Sequence, residues 1–265
     1  MLPYLFTIFG FHLPTYGLLV AIAYLSALAL SAKLARQAKL DSEMVLNLGI
    51  YCAMAGILGA KLLMILVDLS EYLRDPRTLF SLSTLQAAGI FYGGLLLALI
   101  TAFFYMRSKH LPMLATADVL APGIALGHSI GRLGCFAAGC CWGVPTNLPW
   151  AVTFNRPEAH DLVGVPLGVP LHPTQLYESL AELIVFVFLY RRIARPHQPG
   201  AIIGQYLVLY SLVRFFCDFL RDPQQPNPFN GPFNNAQWIS LGLIALVCAF
   251  WLRARRGHRE LVAQS

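Results

Sequence analysis

Seven apolar runs of 17–23 residues take up most of this chain: Leu13–Ala32, Val45–Val67, Ala87–Met106, Ala115–Gly134, Thr174–Tyr190, Ala201–Leu220 and Ala236–Leu252. A run of about 20 apolar residues is the length an α-helix needs to cross ~30 Å of hydrocarbon. In lipid every backbone N–H and C=O must be satisfied within the segment, so helix is the conformation such runs can take. Breakers fall between the runs at Asp75-Pro76, Leu111-Pro112, Pro196–Gly200 and Asp222–Pro232, and Lys61 interrupts the second. Of 265 residues 57% are hydrophobic and only 12% charged, against roughly 25% charged in soluble domains. The expected fold is an all-α integral membrane protein of about seven transmembrane helices. It forms a single polytopic domain over residues 1–265, with an external loop region, 135–173, between spans four and five. No repeat of fixed period appears, which disfavours an inverted-repeat transporter.

The net charge of +6 does not point to nucleic acid, because the basic residues cluster beside the apolar runs. The connections after spans one, three and five and the C-terminal tail hold Lys33, Arg36, Lys39, Arg107, Lys109, Arg191, Arg192, Arg195, Arg253, Arg255, Arg256 and Arg259. The opposite side has Arg74, Arg77, Arg156 and the span-end Arg221. The positive-inside rule then places the N-terminus outside and the C-terminus in the cytoplasm. Before Leu2–Phe11 there is no basic segment of the kind that marks a cleaved leader.

Against this background three arginines stand out. Arg132 lies in Gly131-Arg132-Leu133-Gly134, Arg214 in the apolar stretch 206–220, and Arg221 two turns beyond it. A charged side chain at bilayer depth costs at least ~2.5–3.5 kcal/mol, so it marks a site by default. A guanidinium offers paired donors and keeps its charge, which suits phosphate. The implied substrate is anionic and phosphate-bearing, approached from the external side.

Asp118-x-x-Ala121-Pro122, Leu126-Gly127, Gly131-Arg132-x-Gly134-x-Phe136 and Trp142-Gly143 resemble, in order and spacing, the signature region of the prolipoprotein diacylglyceryl transferase family. His172-Pro173-Thr174-Gln175-Leu176-Tyr177-Glu178 resembles a second block, and Tyr210-x3-Arg214-x3-Asp218-x2-Arg221-x-Pro223 a third, with Asp where Glu is usual. Tyr16-Gly17, Gly59-Ala60-Lys61 and Tyr92-Gly93-Gly94 are weaker echoes. The resemblance implies transfer of the diacylglyceryl group of phosphatidylglycerol to the lipobox cysteine of an exported prolipoprotein, with glycerol phosphate leaving. It implies a bacterial inner-membrane protein that contacts membrane lipids and a prolipoprotein signal peptide. No cofactor and no metal ion are required, and a monomer is the default. By motif position Arg132 and Arg214 are the phosphate clamps, and Gly143 belongs to a loop beside the headgroup. Tyr16 and Arg221 are further candidates for substrate contact, whereas Tyr177 and Glu178 are expected to fix the helix start.

The departures fall at the chemistry. Tyr92 occupies the position of a histidine in the best-known members, and Cys135 and Cys140 replace Asn and Glu. A thiolate does the attacking, so a base or a positive field is needed. His128, four residues before Arg132 on one helix face, and Tyr92 are the candidate bases; His172 is a third. Cys135, Cys140 and Cys141 are expected to be structural, with Cys135 bridged to one of the other two. Their spacing is not a strong zinc pattern. Two alternatives use the same features: a membrane thiol–disulfide oxidoreductase, and a non-enzymatic anion- or lipid-binding carrier.

Overall fold

The structure, a computed structural model, describes the backbone of residues 4–8, 11–81, 84, 89–222, 228 and 231–263. Ala87 of the third run, Pro223 of the third motif, stretch 223–227 of the breaker, and the side chains of Arg255, Arg256 and Arg259 lie outside the described residues. The described elements begin with β1 (Tyr4–Ile8) and β2 (Phe11–Pro14), an antiparallel pair, followed by α1 (Thr15–Gln37), α2 (Ser42–Val67) and α3 (Leu69–Arg74). A 3-10 turn, Pro76–Phe80, precedes α4 (Phe91–Ser108) and α5 (Met113–Ala138). Then come β3 (Val152–Thr153), α6 (Pro157–Val163), β4 (Pro170–Leu171), α7 (Thr174–Ile193), α8 (Ala201–Cys217) and α9 (Asn235–Ala263). Each of the seven apolar runs is thus helical over its described core. By length and composition α1, α2, α4, α5 and the first part of α9, to Arg253, are long and apolar enough to cross a membrane. α8 is apolar but shorter, and α7 carries Glu178, Glu182, Arg191 and Arg192.

The chain divides into two compact units, residues 31–116 and residues 1–30 with 117–265. In the first, α2 and α4 meet through glycines. A Cβ on Gly59 would fall on the Gly93 carbonyl, and one on Gly93 would fall on the Gly59 carbonyl and Leu63. Small residues let membrane helices approach until their backbones touch. The Ile90 N–H donates to the Ala60 carbonyl at 3.0 Å, and Lys61 Nζ donates to the Thr84 carbonyl at 2.5 Å. The two weaker glycine motifs of spans two and three are therefore packing devices, and Lys61 is satisfied inside its own unit.

In the second unit Ala121 and Ala125 of α5, Val185 and Leu189 of α7, and Ile202 and Tyr206 of α8 form one core cluster. Ser129 and Ser179 exchange hydrogen bonds, each hydroxyl donating to the other's carbonyl at 2.8 Å, and so lock α5 to α7. Asp118 caps α8: its carboxylate accepts from the N–H groups of Gly200 (2.7 Å), Ile202 (2.9 Å) and Ile203 (2.8 Å). These are orphan donors of a helix start, and a carboxylate there also meets the positive end of the helix dipole. The unit buries Asp118, Gln175, Glu178 and Glu182 while Ile184 (63%) and Leu246 (65%) stay exposed. Polar groups inside and large apolar groups outside is the arrangement lipid selects. The region expected as loop 135–173 begins later, because α5 runs on to Ala138. It holds its own cluster of Trp142, Phe154, Ala159, Val165 and Leu171.

Candidate active site

Arg132, on the last turns of α5, and Arg214, near the end of α8, meet on one carboxylate, that of Glu178 in α7. Arg132 Nε lies 2.8 Å from Glu178 Oε2, and its Nη2 donates to Oε1 at 3.2 Å. Arg214 Nη1 donates to the same Oε1 at 2.9 Å, while its Nη2 pairs with Asp218 Oδ1 at 3.1 Å. The side chains of Glu178 and Asp218 are 4% and 1% exposed and those of the arginines 13% and 16%, so these pairs sit largely out of solvent, where Coulomb energy is least screened. The three motif blocks offer these arginines three carboxylates, Asp118, Glu178 and Asp218. Asp118 is engaged by the start of α8, and Glu178, read as a helix-start residue, is the hub.

His128 stands one turn before Arg132, and its Nε2 accepts from Arg132 Nε at 3.3 Å. Its other nitrogen, Nδ1, lies 4.0 Å from Glu182 Oε2. With Nε2 accepting, the neutral ring carries its proton on Nδ1, facing Glu182. Tyr210 packs its ring 5.2 Å from His128 and 5.9 Å from Tyr206. Glu182 was missed by the sequence reading; among the described residues neither carboxylate oxygen has a hydrogen-bond partner, and the side chain is 1% exposed. The signal was present: Glu182 is four residues after Glu178 in an apolar run, and ionisable residues inside membrane helices mark sites.

Gly143 and Arg221 form an antiparallel bridge. The Gly143 N–H donates to the His172 carbonyl at 3.0 Å and the Val144 N–H to the Leu220 carbonyl at 2.9 Å. A Cβ on Gly143 would fall 2.5 Å from the Leu220 carbonyl oxygen and 2.6 Å from His172 Cβ. Only glycine fits, and the three motif blocks are stitched together at this point. His172 Nδ1 faces the Tyr177 hydroxyl at 3.2 Å, and Trp150 Nε1 donates to that hydroxyl at 2.8 Å. Tyr16, in the first turn of α1, packs beside Gly134, where a Cβ would lie 3.4 Å from its Cδ2. Tyr92 belongs to the other unit; it opens α4, is 55% exposed and meets Phe91 edge-on at 5.9 Å.

The three clustered cysteines are free thiols, so the disulfide expected between Cys135 and one of its neighbours is not formed. Their sulfurs nevertheless converge, all within 4.8 Å of one another. The Cys140 N–H donates to the Cys135 carbonyl and the Gly139 N–H to the Phe136 carbonyl, the paired bonds of a Schellman end with Gly139 in the left-handed conformation. That turn folds Cys140 back over Cys135. The neighbouring Cys135 and Cys140 thiols pull the Cys141 thiol down from its usual range, aided by Arg221 and Arg132 and opposed by burial. The same contacts, with burial, push Cys140 up.

The family model described as "Prolipoprotein diacylglyceryl transferase" matches residues 3–253. A Clostridium tetani protein named "Phosphatidylglycerol--prolipoprotein diacylglyceryl transferase" is 32% identical over 247 residues, 93% of this chain and 95% of that protein. A Nostoc protein of the same name is 35% identical, covering 91% of this chain and 86% of its own length. A Clostridium perfringens relative whose name adds the numeral 2 is 30% identical across 96% of both. With the three motif blocks joined in one unit and a match across nearly its whole length, this chain belongs to the prolipoprotein diacylglyceryl transferase family.

Proposed function

We propose that this chain transfers the diacylglyceryl group of phosphatidylglycerol to the thiol of a lipobox cysteine on an exported prolipoprotein, releasing glycerol phosphate. Two guanidiniums sharing one buried carboxylate, Arg132 and Arg214 on Glu178, are the observation that carries this reading. In the reaction the cysteine sulfur forms a bond to the glyceryl carbon while the bond from that carbon to the phosphate oxygen breaks. The phosphodiester, with one negative charge, becomes a monoester carrying about −1.5 to −2. Stabilisation by the two arginines therefore grows along the reaction path, which is the condition for lowering a barrier. At rest the cluster is balanced, with Arg132 and Arg214 set against Glu178 and Asp218. An incoming phosphate has guanidinium N–H groups to share with Glu178, and Glu178 holds both forks in register until then.

The thiol proton must go to an acceptor. His128 Nε2 is engaged by Arg132 Nε, so His128 takes that proton only after Arg132 has turned toward phosphate. This couples substrate binding to base activation. In this reading Tyr16, Gly143 and Arg221 line the lipid approach. The chain works as a monomer in the bacterial inner membrane, N-terminus outside and C-terminus in the cytoplasm, because basic residues mark the cytoplasmic ends. The test is rescue of a transferase-depleted bacterium, read as lipidation of a reporter prolipoprotein. Rescue by the parent chain and failure by Arg132→Ala, inserted at equal level, is expected; rescue by both overturns the clamp. A C-terminal alkaline phosphatase fusion is expected to be inactive.

A further inference from the structure

The proposed reaction assigns no step to the thiols of Cys135, Cys140 and Cys141, yet the fold brings them together. The Schellman end of α5 returns Cys140 over Cys135, and Cys141 takes a left-handed conformation, φ 63°. The backbone of the pair is pinned from α7: Gln175 Nε2 donates to the Cys140 carbonyl at 2.6 Å and Thr174 Oγ1 to the Cys141 carbonyl at 2.7 Å. Both pinning side chains are buried, at 0% and 2% exposure. Immediately beyond, Gly143 and Val144 are held to His172 and Leu220. The three sulfurs thus hang from a rigid frame, mutually within 4.8 Å.

A metal bonded to three thiolates at about 2.3 Å in a trigonal plane sets its sulfurs about 4.0 Å apart. These sulfurs need only a small closure to reach that triangle. Among the described residues no histidine or carboxylate joins the three sulfurs. That is a poor set for zinc, which takes four ligands in structural sites, and a good one for a soft ion content with three thiolates. Three thiolates and one monovalent cation leave two negative charges, and Arg132 and Arg221 lie within electrostatic reach of Cys141 to offset them.

We propose that Cys135, Cys140 and Cys141 form a three-thiolate binding site for a soft monovalent metal ion, Cu+, at the end of α5. Each thiol releases its proton as its sulfur binds, and no redox change is involved. The proposal is independent of the transferase reading, since it concerns binding alone.

The experiment uses the full chain, purified in detergent, reduced and kept anaerobic, and titrated with Cu+ against a competing chelator. One equivalent is expected per chain, and X-ray absorption of the bound copper is expected to show a shell of three sulfurs. Cys140→Ser and Cys141→Ser are each expected to weaken binding at least 100-fold, while Cys217→Ser and Cys248→Ser leave it unchanged. Because a cluster variant can misfold, the parent chain decides by itself. Substoichiometric binding, a shell of nitrogen or oxygen, or fewer than six free thiols after gentle isolation under argon would overturn the site, the last by showing a disulfide staple in its place.

Discussion

Glu178 grips Arg132 with both of its carboxylate oxygens, Oε2 at 2.8 Å from Nε and Oε1 at 3.2 Å from Nη2. A two-point contact fixes the plane of the guanidinium, which a lysine ammonium cannot reproduce. Arg132→Lys is therefore expected to lose nearly as much transfer as Arg132→Ala, on the order of 10²–10³-fold, the range for removing one charge-stabilising donor. A lysine variant within tenfold of the parent rate, in a lipidation assay on purified protein, would show that charge alone suffices.

Glu178→Gln removes the shared anion and leaves Arg132 and Arg214 facing each other. Breaking a buried pair by deleting one partner costs roughly 3–5 kcal/mol, so a marked fall in thermal stability is expected. The double variant Glu178→Gln with Arg132→Leu takes away the arginine left without an anion, since Arg214 keeps Asp218, and is expected to recover part of it. Thermal unfolding in detergent decides, and strictly additive losses would mean that the two residues are not coupled.

Helices were the readable part of this chain, because lipid leaves the backbone one solution and the apolar runs announce it. Arg132 and Arg214 were readable for a related reason: a charge in such a run is conspicuous. What joins them was not. Glu178 was seen only as a helix-start residue and Glu182 not at all, since the partner of a buried charge depends on which helices lie side by side. Asp118 stands in the same motif block as Arg132, and only the packing of α8 against α5 assigns it to the N–H groups of Gly200, Ile202 and Ile203. The cysteines were legible as a cluster but not in their arrangement: four residues separate Cys135 from Cys140 along the chain, and a helix-end turn makes them neighbours.

His128 and Glu182 face each other at 4.0 Å, and both Glu182 oxygens lack hydrogen-bond partners among the described residues. A buried carboxyl without partners costs stability that an apolar side chain of similar size recovers. Glu182→Met is expected to raise the thermal midpoint while lowering transfer through the lost orientation of the His128 ring. In rate–pH profiles, His128→Gln is expected to remove the limb on which the rate rises with pH, and Tyr92→Phe to keep it. A midpoint that falls in Glu182→Met would mean Glu182 is held by the bound substrate or a water. Unchanged profiles in both other variants would leave the arginine field as the sole activator of the thiol.

The glycines give a paired control. Gly143→Ala sets a Cβ 2.5 Å from the Leu220 carbonyl, whereas a Cβ on Gly131, beside Arg132, meets nothing within 4 Å. Gly143→Ala is expected to pry apart the ladder joining the three motif blocks, cutting both yield and transfer, and Gly131→Ala to be nearly neutral for folding. If Gly131→Ala folds normally but loses transfer, the open space at Gly131 is where the headgroup approaches Arg132. Equal tolerance of both changes would mean that the close contacts at Gly143 are not maintained in the membrane.

Cys141 is expected to label first when the reduced, metal-free protein meets iodoacetamide. Only the thiolate reacts, and an ordinary thiol with a pKa near 8.5 loses on the order of 10²-fold in rate between pH 8 and pH 6. Cys141 lies beside the Cys135 and Cys140 thiols and near Arg221 and Arg132, which together hold its pKa below the usual range. Its thiolate therefore persists as pH falls, and its labelling rate is expected to change by less than about tenfold over that interval. Cys140, pushed the other way, is expected to stay unlabelled throughout. Peptide mapping by mass spectrometry reads each site separately. If Cys141 labelling falls as steeply as that of an unperturbed thiol, the cluster does not share a thiolate there and the guanidiniums contribute no field at that sulfur. If Arg221→Gln alone restores the ordinary pH dependence, Arg221 is the chief source of that field, and the span-end arginine has a role beyond anchoring its helix.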